Sequence, residues 1–401
     1  MMRRIMIIGV IFLCGIGVSA FASPTAQAQT SRPVIVISPG HGWLIGNQVD
    51  PGAVVNGIIE KDLNLDVAKQ TRELLARCPV DVYLTREGDD SKHTLNDVDE
   101  IVNARKPTVA ISIHANSLNG SGTEGWYTLG GNNDKESERL ARLMTEQIAS
   151  RLSLKILRVV DETQNQHKGL YIHWWNAPSA LIELAVLQQD SALLLNRKRD
   201  FARALAYSLL TFIRVPVECA DAIEQPLPTL SAYFPNEQHS NPITLVNDGL
   251  VTWRASDYRL VNVRNPLGAP TSFGVPQDTP PGKSATWNIP ATAPTSPGIH
   301  QQVWQLQRNG KAVGPEYVVT LVVVPEGARE LKTNLERQIA DWKQRGEQEL
   351  NKFIQDLGRQ IAEALAEEAK KQLIQCFPSY LVGVIMLGGG AFWRKRRTLI
   401  G

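Results

Sequence analysis

The chain has 401 residues, enough for two or three domains, and is 43% hydrophobic and 20% charged, which excludes a wholly disordered or collagen-like polymer. Its 42 Lys and Arg nearly balance 40 Asp and Glu, and a net charge of +2 gives no electrostatic footing for nucleic-acid binding. The four cysteines, Cys14, Cys78, Cys219 and Cys376, are too few and too scattered for a disulfide framework, and no CxxC pair points to a zinc ribbon.

In chain order, residues 1–28 read as a secretory signal peptide. Arg3 and Arg4 form a basic start, Ile5 to Ala20 is apolar, and Ala20-Phe21-Ala22 and Ala26-Gln27-Ala28 both offer cleavage sites. An uncleaved membrane anchor is the other reading, and both imply export. Residues 33–215 alternate short apolar runs with helical patterns, which predicts an α/β domain with a mainly parallel sheet flanked by helices. Strands are expected at Val34 to Ile37, Val80 to Leu84, Val109 to Ile113, Trp126 to Leu129 and Ala180 to Leu184, and helices at Leu63 to Leu75, Glu136 to Leu152 and Phe201 to Phe212.

Residues 216–238, rich in Pro, Glu and Ala, read as a linker. Between 239 and 325 turn signals recur about every ten residues, among them Asn247-Asp248-Gly249, Pro280-Pro281-Gly282 and Asn309-Gly310, which predicts a β-sandwich. Residues 327–375 carry apolar side chains at helical spacing from Leu331 to Leu365. A continuous helix there would be ~70 Å long, serving as a coiled-coil stalk or folding back on a neighbour; Gly346 and Gly358 argue against full continuity. Residues 377–393 are charge-free and precede Arg394-Lys395-Arg396-Arg397, which predicts a short transmembrane anchor with residues 394–401 as a basic cytoplasmic tail. The competing reading is a packed C-terminal core helix.

The chemistry concentrates in the first domain. Ser38-Pro39-Gly40-His41-Gly42 follows a buried strand, and ligands of open α/β sheets gather at the carboxyl ends of strands. Glu60 opens a helix, Ser112-Ile113-His114-Ala115-Asn116 places a second histidine at a strand end, and Glu183 lies in an apolar run. Singly, each has an ordinary structural explanation. Together, two imidazoles and a carboxylate form a known catalytic zinc set, and a second carboxylate beside them can serve as general base.

Five motifs in register make the segment from 33 to about 213 resemble the zinc-dependent N-acetylmuramoyl-L-alanine amidases of the type-3 amidase family. They are the Pro-Gly-His-Gly turn with Asp50-Pro51-Gly52-Ala53, the run from Glu60 to Leu65, Leu84-Thr85-Arg86, Ser112 to Asn116, and Pro178 to Glu183. The resemblance implies that His41, Glu60 and His114 bind one Zn2+ and that Glu183 is the catalytic carboxylate. It also implies hydrolysis of the peptidoglycan amide between N-acetylmuramic acid and L-alanine of the stem peptide. Ser38 stands where the family has Asp, Trp43 where a second Gly is usual, and residues 43–49 resemble an insertion. Only Ser117 to Glu124 separates the second histidine motif from the next strand, too short for the inserted helix that blocks zinc in some relatives.

The β region resembles the immunoglobulin-like four-tryptophan domain of bacterial surface proteins, carried by Trp253, Trp287, Trp304 and the turns around them. Its tryptophans are expected to fill a core, making it a spacer or protein-contact module, and the stalk is a second candidate contact for a protein partner. Cys78 and Cys219 can pair in an exported protein, and the sequence equally allows two free thiols. The leading reading is thus a cell-envelope zinc amidase held to the membrane by its C-terminal segment. The alternative is a non-catalytic wall-binding or adhesion protein.

Overall fold

Val34–Pro39, nearly all apolar, forms strand β1 at the centre of the first domain. The computed structural model describes residues 31–90, 92–129, 133–164, 171–224, 228–345 and 350–376. After β1 come α1 (Glu60–Leu75), β2 (Asp81–Leu84), α2 (Val98–Asn103), β3 (Val109–Asn116) and β4 (Thr123–Tyr127). Then follow α3 (Asp134–Leu152), β5 (Ile156–Asp161), β6 (Ser179–Val186), α4 (Ser191–Asn196) and α5 (Lys198–Phe212). The sheet order is β2-β1-β3-β6-β4-β5. β2, β1, β3 and β6 run parallel, while β4 pairs antiparallel with β6 and carries β5 with it. The expected mainly parallel α/β sheet is therefore present, with a reversed edge. β5 escapes the sequence reading because its edge position leaves much of it exposed, so no buried apolar run marks it.

The side-chain period of two sorts this sheet into two faces. Ile35, Ile37, Ile111, Ile113 and Ile182 point to one face and pack against apolar residues of α1, α3 and α5. Each such buried side chain contributes about 1.5–3 kcal/mol. Val36, Ala110, Trp126 and Leu181 point to the other, where α2, Trp43, Leu95 and the segment around a 3-10 turn at Tyr171–Trp174 pack on them. Ser38, Ser112, His114 and Glu183 fall on this second, thinly covered face by the same alternation.

The stretch expected to be a linker is folded. It holds a 3-10 turn at Val217–Ala220 and the strands β7 (Ile223–Glu224) and β8 (Thr229–Tyr233), and it buries Ala220, Ile223, Leu230 and Ala232. Its Pro and Glu content masks these apolar residues. β9 (Gln238–Asn247), β10 (Tyr258–Arg264), β11 (Ser272–Gly274), β12 (Ser284–Thr292), β13 (Gly298–Arg308) and β14 (Lys311–Val323) follow. They form a three-stranded sheet, β7-β9-β12, and a five-stranded sheet, β8-β14-β13-β10-β11. Trp253, Trp287 and Trp304 are buried in the one core that both sheets share.

The stalk expectation is corrected. The helical region comprises α6 (Arg329–Arg345) and α7 (Leu350–Cys376), and both fold back on the β region. Leu335, Ile339, Trp342, Leu357 and Ile361 are buried with Leu230, Ala232, Val322 and Val324. Trp342 stacks on Phe353, and Gln338 and Gln360 exchange two hydrogen bonds between the helices. A helical stripe wide enough to cover a sheet reads in sequence like a coiled-coil seam. The proposed signal peptide (1–28), membrane segment (377–393) and basic tail (394–401) lie outside the described residues. Among the described residues, no helix is long and apolar enough to cross a membrane.

The two domains meet over a specific junction. Asp248, in the loop after β9, accepts hydrogen bonds from Arg199 Nε (3.0 Å) and Arg203 Nη2 (2.6 Å) of α5. Leu250, two residues on, is buried in the α/β core, and Arg151 Nη2 donates to its carbonyl at 3.1 Å. Cys78 and Cys219 form a disulfide with a Cα–Cα distance of 4.9 Å, closing the free-thiol alternative and tying the end of α1 to the segment entering the β region.

Candidate active site

The site is assembled where β1, β3 and β6 present their thinly covered face. The chain leaves β1 through Gly40 and turns at His41, whose φ of +61° is a left-handed conformation costly for a residue with a Cβ. Gly40 is obligatory for a steric reason: a Cβ there would lie 2.3 Å from the His114 ring. The turn is tied down by Arg86, a buried guanidinium that donates to the carbonyls of Pro39 (3.2 Å), Gly40 (3.1 Å) and Lys61 (2.8 Å). One cation thereby joins the first histidine motif to the helix that carries Glu60.

Glu60 is the first residue of α1, where the helix dipole favours a carboxylate. Its Oε2 accepts from the Ala53 amide (3.0 Å), and its Oε1 accepts from the Ala115 amide (3.1 Å) and Asn64 Nδ2 (3.4 Å). Asn64, one turn further along α1, also donates to the Gly40 carbonyl at 3.3 Å. Glu60 Oε1 lies 3.1 Å from His41 Nε2 and 3.3 Å from His114 Nδ1, and the two rings meet edge-on with centroids 4.9 Å apart. Gly52, at φ +65°, passes so close that a Cβ would stand 2.7 Å from the His41 ring and 2.8 Å from Glu60 Oε2.

The donor chemistry fits a metal ion. The ligand atoms of His41, Glu60 and His114 all lie within 4.8 Å of one another. A tetrahedral zinc with bonds of ~2.0–2.1 Å holds its donors ~3.4 Å apart, and the two separations from Glu60 Oε1 approach that value. His41 Nδ1 donates to Asp50 Oδ2 at 2.6 Å, which turns Nε2 toward Glu60 as the nitrogen that could ligate a metal ion in exchange for its proton. Asp50 is itself fixed by the Gly52 amide, 3.0 Å from Oδ1. Electrostatics agree. Burial disfavours an imidazolium at His41, yet Glu60 and Asp50 outweigh it and raise its pKa to about 9. Burial also disfavours the Glu60 carboxylate, yet His114 and His41 hold its pKa below the usual range. The space between these groups thus favours positive charge.

Glu183 lies opposite His114 in the parallel β3–β6 register and opposite Glu124 across the antiparallel β6–β4 pair. Its Oε2 is enclosed and has no hydrogen-bond partner. Burial first, then the neighbouring charges of Glu60 and Glu124, push its carboxyl well above the ordinary range. The β3–β6 register shifts between Glu183 and Val186, a bulge of the kind that re-aims side chains beside active sites. Beside the histidines a cavity of about 230 Å³ opens, walled by Trp43, Leu95, Ile172, Trp175 and Leu181 with Ser38 and Ser112 at its base.

All four residues singled out from sequence, His41, Glu60, His114 and Glu183, therefore converge. Asp50, Asn64 and Arg86 lay within the recognised motifs, but their roles depend on contacts across the fold that spacing does not reveal. Glu124, buried in β4 and 3.1 Å from Arg158 Nε, carried no signal beyond a lone acidic residue. Trp43 is fully buried and forms a wall of the cavity, and residues 44–49 after it form a two-stranded hairpin.

The site is thus an open α/β sheet with a His–Glu–His group that could hold a metal ion and a further carboxylate at its strand ends. Residues 35–214 match the family described as N-acetylmuramoyl-L-alanine amidase. The chain is 30% identical over 185 residues to the N-acetylmuramoyl-L-alanine amidase LytC of Bacillus subtilis, covering 44% of this chain and 34% of that protein. It is 31% identical over 126 residues to the amidase AmiA of Escherichia coli, covering 31% of this chain and 42% of that protein. The match thus spans about a third of LytC and two fifths of AmiA, and 82% of the protein YqiI of Bacillus subtilis, at 29% identity. Among solved structures, an N-acetylmuramoyl-L-alanine amidase from Clostridium difficile aligns at a TM-score of 0.41 and 25% identity, over 46% of this chain and 98% of that one. Residues 35–214 are thus the part of the chain that is similar to N-acetylmuramoyl-L-alanine amidases.

Proposed function

We propose that the chain is an exported peptidoglycan hydrolase that cleaves the amide between N-acetylmuramic acid and L-alanine of the stem peptide. His41, Glu60 and His114 hold one zinc ion and Glu183 acts as general base. The observation that carries this reading is the convergence of the three donors, with Glu183 beside them at the adjacent register position. Bound zinc would lower the pKa of a water and polarise the scissile carbonyl. Asp50 fixes the ring of His41, and Arg86 and Asn64 fix the backbone from which both His41 and Glu60 project. Glu183, with one oxygen unpartnered, takes a proton from the attacking water and delivers it to the departing alanine nitrogen. The walled cavity restricts water around the reacting amide.

Export by residues 1–28 and membrane attachment by residues 377–393 belong to the same reading, supported by their sequence pattern alone. The β region, read as an immunoglobulin-like module, then serves as a spacer or protein contact. A non-catalytic wall-binding protein has no need of the complete donor set and adjacent base. The deciding assay incubates the purified chain with murein. The reading expects new α-amino groups of alanine without new reducing sugar ends, and loss of that product on chelation. Release of reducing ends alone, or no product, contradicts it.

A further inference from the structure

The 3-10 turn that closes the cavity has two faces. Residues three apart eclipse one another in such a turn. Ile172 and Trp175, one such pair, are buried and wall the cavity. Tyr171 and Trp174, the other pair, are exposed; Tyr171 also lines the cavity, and Trp174, at 64%, is the most exposed large apolar side chain among the described residues. Lone exposed apolar residues need no explanation, but two aromatic rings sharing one face at the mouth of a reactive cavity do.

The backbone beneath these rings is tied down. Asn103, at the end of α2, donates from Nδ2 to the Trp174 carbonyl (2.9 Å) and accepts from the Asn176 amide (2.8 Å). The Tyr171 hydroxyl donates to Asn96 Oδ1 at 3.4 Å. His173 donates to Glu162 Oε1 at 2.5 Å and packs edge-on against Trp174 at 4.9 Å. Rings on a backbone held in this way lose less conformational freedom when a ligand covers them.

We infer that Tyr171 and Trp174 form a saccharide platform that seats a pyranose ring of the glycan strand at the cavity mouth. This rests on the amidase reading, in which the acyl side of the scissile amide is attached directly to a sugar. A sugar bound at the site must therefore extend from the cavity toward its rim. Aromatic faces carry negative quadrupole density that attracts the C–H faces of a pyranose. The patch, two rings on a single turn, is also far smaller than the ~800 Å² per partner of a standard protein interface.

The test uses the full chain without metal, titrated with a peptide-free tetrasaccharide of N-acetylglucosamine and N-acetylmuramic acid. Trp174→Ala should weaken binding at least tenfold, and Trp174→Phe should restore it to within threefold. With zinc restored, Trp174→Ala should raise the apparent KM for murein about tenfold with little change in kcat. Unchanged tetrasaccharide affinity in Trp174→Ala overturns the platform, whatever the catalytic result. Trp174-dependent binding by a chain that cleaves no murein leaves the platform standing and overturns the amidase reading instead.

Discussion

The α/β domain and the β region bury polar groups to opposite ends. In the first, Glu60 and Asn64 of α1, Arg86 after β2 and Glu183 of β6 converge at the ends of the central strands, where Glu183 keeps an unpartnered oxygen. In the second, Asn247 and Thr229 close their hydrogen bonds within the packed sheets and face no cavity of donors, although side-chain atoms such as Trp253 Nε1 and Asn262 Nδ2 stay unpartnered there too. Asn247 donates to the carbonyls of Val251 and Thr279, both at 2.8 Å, and Thr229 bonds the Pro242 carbonyl (3.0 Å) and the Tyr317 hydroxyl (2.9 Å). What separates the regions is company: the unpartnered Glu183 oxygen stands beside a His–Glu–His donor set, whereas Asn247 and Thr229 stand among packed strands.

Four substitutions press on that contrast, taken from the largest expected effect to the smallest. His114→Ala removes a donor from the triad. Metal analysis should fall from about one zinc per chain toward none, and murein cleavage should fall to background. Trp304→Ala empties the β core and should cost about 3–5 kcal/mol in denaturant unfolding, while zinc content per folded chain stays unchanged. Were zinc lost together with the β core, the proposed division of labour would be wrong.

Asp50→Asn should weaken zinc affinity about 10–100-fold, read by competition with a chelator, because His41 loses its orienting carboxylate. Asp248→Asn strikes the junction and should cost about 1–3 kcal/mol. Burial opposes the Asp248 charge, but Arg199 and Arg203 outweigh it and hold its pKa below the usual carboxylate value. Its contribution is therefore complete above pH ~4 and is lost as pH falls through the lowered pKa. The substituted chain should show a shallower acid limb in a stability–pH profile. An identical limb would remove Asp248 from the junction's energetics.

Much of the catalytic domain was legible because parallel strands buried on both faces leave continuous apolar runs, and because each site residue follows such a run or opens a helix. β5 was not legible, since an exposed edge strand leaves no such run. The segment taken for a linker hides β8 behind its prolines, and only pairing with β14 shows that Leu230 and Ala232 are core. The stripe of α6 and α7 was read correctly as apolar, but nothing local distinguishes a helix that covers a sheet from one that covers another helix. Asp50, Arg86 and the aromatic turn at Tyr171–Trp174 act through contacts between distant segments, which only the fold brings together.

Glu183 is proposed to transfer protons beside a separate His–Glu–His metal set. The most direct measurement pairs zinc stoichiometry with murein cleavage for Glu183→Gln. The expected result is a folded chain with full zinc content and cleavage reduced about 10²–10⁴-fold. Full zinc content with undiminished release of stem peptides would contradict it.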